Sequence, residues 1–212
     1  ISGGADDDSL LGQDGADSVS GDAGDDYLEG GTGDDTLLGG ANDDTLDGGA
    51  EDDLLAGGSG NDSLLGSFGD DTFELGDDFG DDIVDGGADF ETNGDTLDAS
   101  GVTAEGISIV YSGDETGTLT GAVTGHEADF FDIENITATD NDDTINAALD
   151  TVGVNVDAGD GDDVVTGGSG EDTIDGGDGD DTISGGADGD LITAGAGDDT
   201  INVAQGDTVT GG

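Results

Sequence analysis

Residues 30–47 read GGTGDDTLL followed by GGANDDTLD, which are two consecutive nine-residue units with one shared pattern. Gly stands first and second, Asp stands sixth and Leu stands eighth in both units. The same period runs unbroken from Gly3 to Glu74 as eight units, and returns from Ala158 to Asn202 as five more. A fixed short period over so much of a chain indicates a repeat architecture, in which each unit packs on its neighbours.

Each unit combines a turn with a minimal strand. Its first six positions are rich in Gly and Asp, which favour turns, and its fourth position is one where Gly, Asn and Asp indicate a left-handed backbone, with Glu51 as the poorest match. Its last three residues read polar, apolar, polar, so only the eighth side chain points inward. Two units make a coil of eighteen residues. We therefore expect an all-β solenoid whose strands pair in parallel between successive coils.

The charge of the chain restricts its function. It has 56 acidic residues, no Lys, Arg or Cys, and a formal charge of −56. Because it has no cationic side chains, the chain cannot bind nucleic acid through phosphates. No apolar run is long enough for insertion in a membrane. One inward aliphatic side chain per unit contributes only about 1.5–3 kcal/mol against this self-repulsion. Folding therefore needs cations that bind the folded form, and Ca²⁺ suits carboxylate and carbonyl oxygens.

The sixth-position aspartates are the candidate metal ligands. Residues eighteen apart lie on the same side of successive coils and form rows, so a cation between two turns can take a carboxylate from each together with backbone carbonyls. This pattern predicts about ten Ca²⁺ ions inside the two blocks, and more with the looser units. The full candidate set is Asp8, Asp17, Asp26, Asp35, Asp44, Asp53, Asp62, Asp71, Asp82, Asp95, Asp143, Asp163, Asp172, Asp181, Asp190, Asp199 and Asp207.

The repeat loses its phase in the middle of the chain. Residues 107–111 and 118–123 read as strands joined by a turn at 113–117. The sequence therefore predicts a first repeat block at 1–98, looser from residue 75, an irregular β insert or hairpin at 99–139, and a second repeat block at 140–212.

The repeating unit resembles the hemolysin-type nonapeptide G-G-x-G-x-D-x-U-x of the repeats-in-toxin (RTX) proteins. The resemblance covers residues 3–74 and 158–210 closely. It implies a right-handed parallel β-roll that binds Ca²⁺, export from a bacterium by type I secretion, and folding on meeting extracellular calcium. The expected location is outside the cell, including the cell surface.

Three functions stay open at this stage. The first is a calcium-rigidified scaffold of a large secreted adhesin, surface-layer or filament protein, and the second is an accessory secretion and folding module of a secreted protease or lipase. The third is ice binding, which needs a regular Thr array, whereas only Thr32 fits at the third position. No residue is expected to be catalytic, and His126 is interpreted as a surface loop residue. Both ends stop within a unit, so we expect further solenoid or end-to-end self-association.

Overall fold

A computed structural model describes residues 1–87, 92–121 and 125–211, and its regular structure in these ranges is β-strand. The strands in chain order are β1 (Ser2–Gly4), β2 (Ser9–Asp14), β3 (Ser18–Ala23), β4 (Tyr27–Thr32), β5 (Thr36–Ala41), β6 (Thr45–Ala50), β7 (Leu54–Ser59), β8 (Ser63–Phe68), β9 (Thr72–Gly76), β10 (Asp81–Asp85), β11 (Thr96–Gly101), β12 (Ile107–Gly113), β13 (Thr116–Gly121), β14 (Glu127–Phe131), β15 (Asn135–Thr137), β16 (Thr144–Asn146), β17 (Asn155–Asp157), β18 (Val164–Thr166), β19 (Thr173–Asp175), β20 (Thr182–Ser184), β21 (Leu191–Thr193), β22 (Thr200–Asn202) and β23 (Thr208–Thr210). The described residues contain no helix that is long and apolar enough to cross a membrane.

The chain forms two compact units, which we call unit 1 (Ile1–Asp98 with His126–Ile133) and unit 2 (Ala99–Gly125 with Glu134–Gly212). In unit 1 successive strands alternate between two sheets, one of β1, β3, β5, β7 and β9 and the other of β2, β4, β6, β8, β10 and β14. Neighbouring strands are parallel, and Thr36 lies beside Leu54 and Thr45 beside Ser63, a spacing of eighteen residues. The predicted all-β solenoid with eighteen-residue coils is therefore confirmed.

Unit 2 repeats this arrangement with a hairpin at one sheet. One sheet has the order β15-β17-β19-β21-β23 and the other the order β13-β12-β16-β18-β20-β22. The strands β12 and β13 pair antiparallel as a hairpin, and the end of the predicted second strand, residues 122–123, lies outside the described residues. Because β12 also pairs in parallel with β16, with Ile109 beside Ile145, the hairpin extends the solenoid sheet.

The eighth position of each unit supplies the core. In unit 1 the buried eighth-position side chains are Val19, Leu28, Leu37, Leu46, Leu55, Leu64 and Phe73, and in unit 2 those of the second block are Val165, Ile174, Ile183 and Ile192. Since successive units belong to opposite sheets, these side chains stand in two facing columns between the sheets. Each column adds one aliphatic or aromatic side chain per coil, as the period predicted.

The strands of unit 1 are longer than the three residues that the sequence predicted. For example, β5 covers positions seven to nine of one unit and continues through Gly39, Gly40 and Ala41 of the next. This continuation includes the left-handed second position, with φ of 120° at Gly40. In unit 2, strands such as β20 keep only the predicted three residues.

The left-handed backbone predicted for the fourth position is confirmed in every unit of the two blocks except those of Asp6 and Gly170. Even Glu51, the poorest match, takes φ of 73°. A left-handed backbone at the second position was not predicted, and it occurs there even at Gln13 and Ser67.

Candidate metal centre

The sixth-position aspartates form continuous hydrogen-bonded rows within each unit. In unit 1 the backbone N–H of Asp26 donates to Asp44 Oδ1, and the N–H of Asp44 donates to Asp62 Oδ1, both at 2.8 Å. The rows of unit 1 are Asp8-Asp26-Asp44-Asp62-Asp82 and Asp17-Asp35-Asp53-Asp71-Asp95. Those of unit 2 are Asp143-Asp163-Asp181-Asp199 and Asp172-Asp190-Asp207. Every predicted site residue thus lies in a row, including Asp82 and Asp95, where insertions lengthen the spacing.

Most of these carboxylates are buried with one oxygen unsatisfied. Asp8, Asp17, Asp199 and Asp207 are half-buried, and the others are buried. Within the described ranges, the buried Oδ2 atoms without a hydrogen-bond partner belong to Asp26, Asp35, Asp44, Asp53, Asp62, Asp71, Asp82, Asp163, Asp181 and Asp190. A buried carboxylate oxygen that lacks a partner costs several kcal/mol, so each of these atoms requires a cation or a proton.

The unsatisfied oxygen faces the first residue of its own unit. A Cβ built on Gly39 would lie 2.5 Å from Asp44 Oδ2 and 2.5 Å from the carbonyl oxygen of Gly57, which is the first residue of the next coil. The same two kinds of oxygen border Gly3 and Gly12, at the start of the two rows of unit 1. Oxygens from successive coils therefore converge beside Gly3, Gly12 and Gly39, where a Cβ would meet them.

This geometry predicts a large effect for a single methyl group. Gly39→Ala should destabilise the calcium-loaded protein by about 1–3 kcal/mol, because the Cβ would overlap Asp44 Oδ2 and the Gly57 carbonyl. Gly76→Ala is the matched control, since Gly76 ends a strand and a Cβ there would meet nothing within 4 Å. Thermal unfolding in excess calcium measures both, and equal melting temperatures for the two variants would contradict the prediction.

Burial also shifts the acidity of the rows. Burial raises the pKa of Asp53 to about 7, although the hydrogen bond from the Asp35 N–H opposes the rise and repulsion from Asp71 adds to it. The same dominant cause raises the pKa of Asp44 and of Asp62 to about 6 and that of Asp163 to about 7. Burial thus disfavours the charged form of these carboxylates, and a positive charge nearby would favour it.

A hard cation fits this donor set. Within residues 1–87, 92–121 and 125–211, no three His, Cys, Asp or Glu side chains group closely enough to hold a metal by themselves. Backbone carbonyls, such as that of Gly57 beside Asp44 Oδ2, are further protein oxygens that a cation could use. Carboxylates mixed with backbone carbonyls are typical ligands of Ca²⁺, whereas Mg²⁺ usually keeps several waters.

Three sixth-position carboxylates differ from this pattern. The Oδ2 of Asp143 accepts a hydrogen bond from the Thr139 N–H at 2.8 Å, and that of Asp172 accepts one from the Gly168 N–H at 2.8 Å. The Oδ2 of Asp207 accepts one from Ala204. The protein itself therefore satisfies these three carboxylates.

The fifth-position aspartates and Asp150 accept hydrogen bonds that the sequence did not predict. The exposed fifth-position carboxylates form a second ladder of opposite sense, in which Asp25 Oδ1 accepts from the Asp43 N–H at 3.3 Å. Asp150, which lies outside the repeat phase, is fully buried, and its carboxylate accepts from Val152, Gly153 and Glu115 N–H groups. The sequence could have suggested the fifth-position ladder through its spacing of eighteen residues, but it carries no such signal for Asp150.

The single histidine is half-buried, whereas the sequence suggested a surface loop residue. The His126 ring meets Phe79 edge to face in unit 1, with ring centroids 5.5 Å apart and planes at 82°. This contact gives the residue a packing role.

Parallel coils with a buried aspartate row along each turn define a calcium-binding repeat module of the β-solenoid class. The family model described as RTX calcium-binding nonapeptide repeat matches residues 1–28, 20–55, 47–79, 57–90, 157–192 and 175–209. These matches cover more than half of the chain, and the protein belongs to this family. RTX repeats occur typically in secreted bacterial proteins, and their β-roll is a structural, generally non-catalytic fold.

Other comparisons add little. No curated protein sequence matches the chain. Among solved structures, an extracellular lipase from Serratia marcescens is similar at 20% identity and a TM-score of 0.24, over 87% of this chain and 34% of the lipase chain. The chain thus spans about a third of that lipase, and a likeness at this TM-score carries no argument about fold or function.

Proposed function

We propose that this chain is a calcium-dependent structural scaffold segment of a large secreted bacterial protein of the adhesin, surface-layer or filament type. In this proposal the chain stays unfolded where calcium is scarce and folds outside the cell, where millimolar calcium matches the affinity of extracellular calcium modules. The observation that carries the proposal is the row of buried carboxylates with unsatisfied Oδ2 atoms. A scaffold whose core is only two columns of side chains needs the additional stability that cations bound to these carboxylates would supply.

The proposed ligands are the sixth-position aspartates whose Oδ2 faces a first-position residue. Asp44 is the central member of its row, and each of its neighbours, Asp26 and Asp62, lies one coil away. A cation beside Asp44 would take its Oδ2 and the Gly57 carbonyl, and so would join two successive coils. Repetition of this link along both rows would make the scaffold stiff as well as stable.

Asp44→Ala and Asp25→Ala form the test of this assignment. Asp44→Ala should weaken the two sites adjacent to it and destabilise the calcium-loaded protein by about 2–4 kcal/mol, because it also leaves the buried Asp26 N–H without its acceptor. Asp25→Ala removes the same charge from the exposed fifth position and should change stability by less than about 0.5 kcal/mol.

Calcium titrations followed by circular dichroism measure both variants. The midpoint should move to higher calcium for Asp44→Ala and stay close to that of the parent protein for Asp25→Ala. Equal midpoints for the two variants would show that the sixth position has no special role in binding calcium.

A further inference from the structure

In the units without insertions, the second position takes two backbone conformations, and these correlate with the state of the sixth-position carboxylate. The lengthened unit of Asp82 does not follow this correlation, because its Oδ2 has no partner among the described residues although Gly76 and Asp78 are not left-handed. Gly40 and Gly159 are left-handed, with φ of 120° and 95°, and the Oδ2 atoms of Asp44 and Asp163 have no partner in the described part of the chain. We call such turns open.

The opposite conformation accompanies a satisfied carboxylate. Thr139 and Gly168 are not left-handed, and their N–H groups donate to Asp143 Oδ2 and Asp172 Oδ2. Ala204, which is not left-handed either, donates to Asp207 Oδ2 in the shortened last unit. We call these turns closed.

The turn of Asp143 is closed most completely. Its Oδ1 accepts from the Ile107 N–H at 2.6 Å, and the hydroxyl of buried Thr139 lies 3.0 Å from both carboxylate oxygens. The same hydroxyl accepts from the Asn141 N–H at 3.0 Å, which leaves its proton for the carboxylate. Every donor at this carboxylate presents a partial positive charge where a cation would have to approach.

From this geometry we propose that, in the units without insertions, the backbone conformation at the second position decides whether a turn takes a cation, and that Thr139 closes the turn of Asp143 against calcium. The proposal rests on calcium binding at the open turns, as proposed above. A closed turn takes no ion because its own N–H and hydroxyl groups already satisfy the carboxylate. This differs from the sequence-based expectation that Asp143, Asp172 and Asp207 are ligands like the rest.

Asp163 supplies a matched comparison for Asp143. The two residues are neighbours in one row, joined by the hydrogen bond from the Asp143 N–H to Asp163 Oδ1 at 2.7 Å, and each side chain is 1% exposed. The first residues of their units are Ala138 and Ala158, so the first position does not distinguish them. They differ at the second position, where Thr139 stands in one unit and left-handed Gly159 in the other.

Native mass spectrometry of the calcium-loaded chain counts the bound ions directly. Asp143→Asn should bind as many calcium ions as the parent protein, whereas Asp163→Asn should bind at least one fewer. Loss of an ion from Asp143→Asn would overturn the proposal. An unchanged count for Asp163→Asn would instead contradict calcium binding at the open turns, so the two failures are distinguishable.

If Asp143→Asn does not fold, two variants of Thr139 test whether this residue closes the turn against calcium. Thr139→Gly removes the hydroxyl and permits the left-handed backbone, so it should open the turn and add one calcium ion to the count. Thr139→Ser keeps the hydroxyl and should leave the count unchanged. An unchanged count for Thr139→Gly, or a gain in both variants, would overturn the role assigned to Thr139.

Discussion

Excess EGTA should abolish the β-structure of the chain, with the far-ultraviolet circular dichroism spectrum becoming that of an unfolded polypeptide. The core offers one buried side chain per nine residues, such as Leu37 or Leu46, which cannot offset the entropy of ordering the glycine-rich turns. Without cations the buried carboxylates along each row, which lie one coil apart, must also either stay charged and unsatisfied or bind protons.

Readdition of calcium should restore the spectrum, and the same concentration of magnesium should not, because Mg²⁺ gives up its waters reluctantly. Magnesium is therefore the control for simple neutralisation of the charge of −56. A spectrum that EGTA leaves unchanged would contradict the calcium requirement, and recovery in magnesium would contradict its selectivity.

Acidification should partly replace calcium. The ordinary pKa of an aspartate is 3.8, whereas burial raises that of Asp53 and Asp82 to about 7 and that of Asp71 to about 6 in the folded chain. The folded state therefore binds protons more tightly than the unfolded state. This contribution to stability is fully present below pH 3.8 and is lost as the pH rises through 6 to 7. In EGTA, β-structure should appear as the pH falls through this window.

Two triple variants separate burial from net charge in this experiment. Asp44→Asn/Asp53→Asn/Asp62→Asn neutralises three buried carboxylates, and Asp25→Asn/Asp34→Asn/Asp43→Asn neutralises three exposed ones. In EGTA the first set should retain β-structure to a higher pH than the second. Equal midpoints by circular dichroism would show that overall charge, rather than the buried rows, controls folding.

The sequence was sufficient for the features that depend on one residue type at one position. Leu46 at the eighth position is in the core, Asp44 at the sixth is in a row, and Gly33 at the fourth has the positive φ that its residue type indicated. Each of these features has a local physical cause, which the repetition of the unit makes visible.

The remaining features depend on choices that residue type leaves open. Gly159 and Gly168 are both second-position glycines, yet one turn is open and the other closed, because glycine permits either backbone conformation. The length of β5 could not be predicted either, since Gly39 and Gly40 suit a turn as well as a strand. The role of Asp150 depends on tertiary contacts outside the repeat, with Glu115 thirty-five residues away.

The pairing of each coil of unit 1 with its neighbours at a spacing of eighteen has a consequence for the length of the chain. Removal of residues 30–47 would join Glu29 to Gly48 and leave every later strand in its original sheet, because one complete coil is lost. Removal of nine residues would transfer each later strand of unit 1 to the opposite sheet. The length of the chain can therefore change in steps of a whole coil without rearranging the later strands. Duplications or deletions within the gene that add or remove eighteen codons would lengthen or shorten the module in this way.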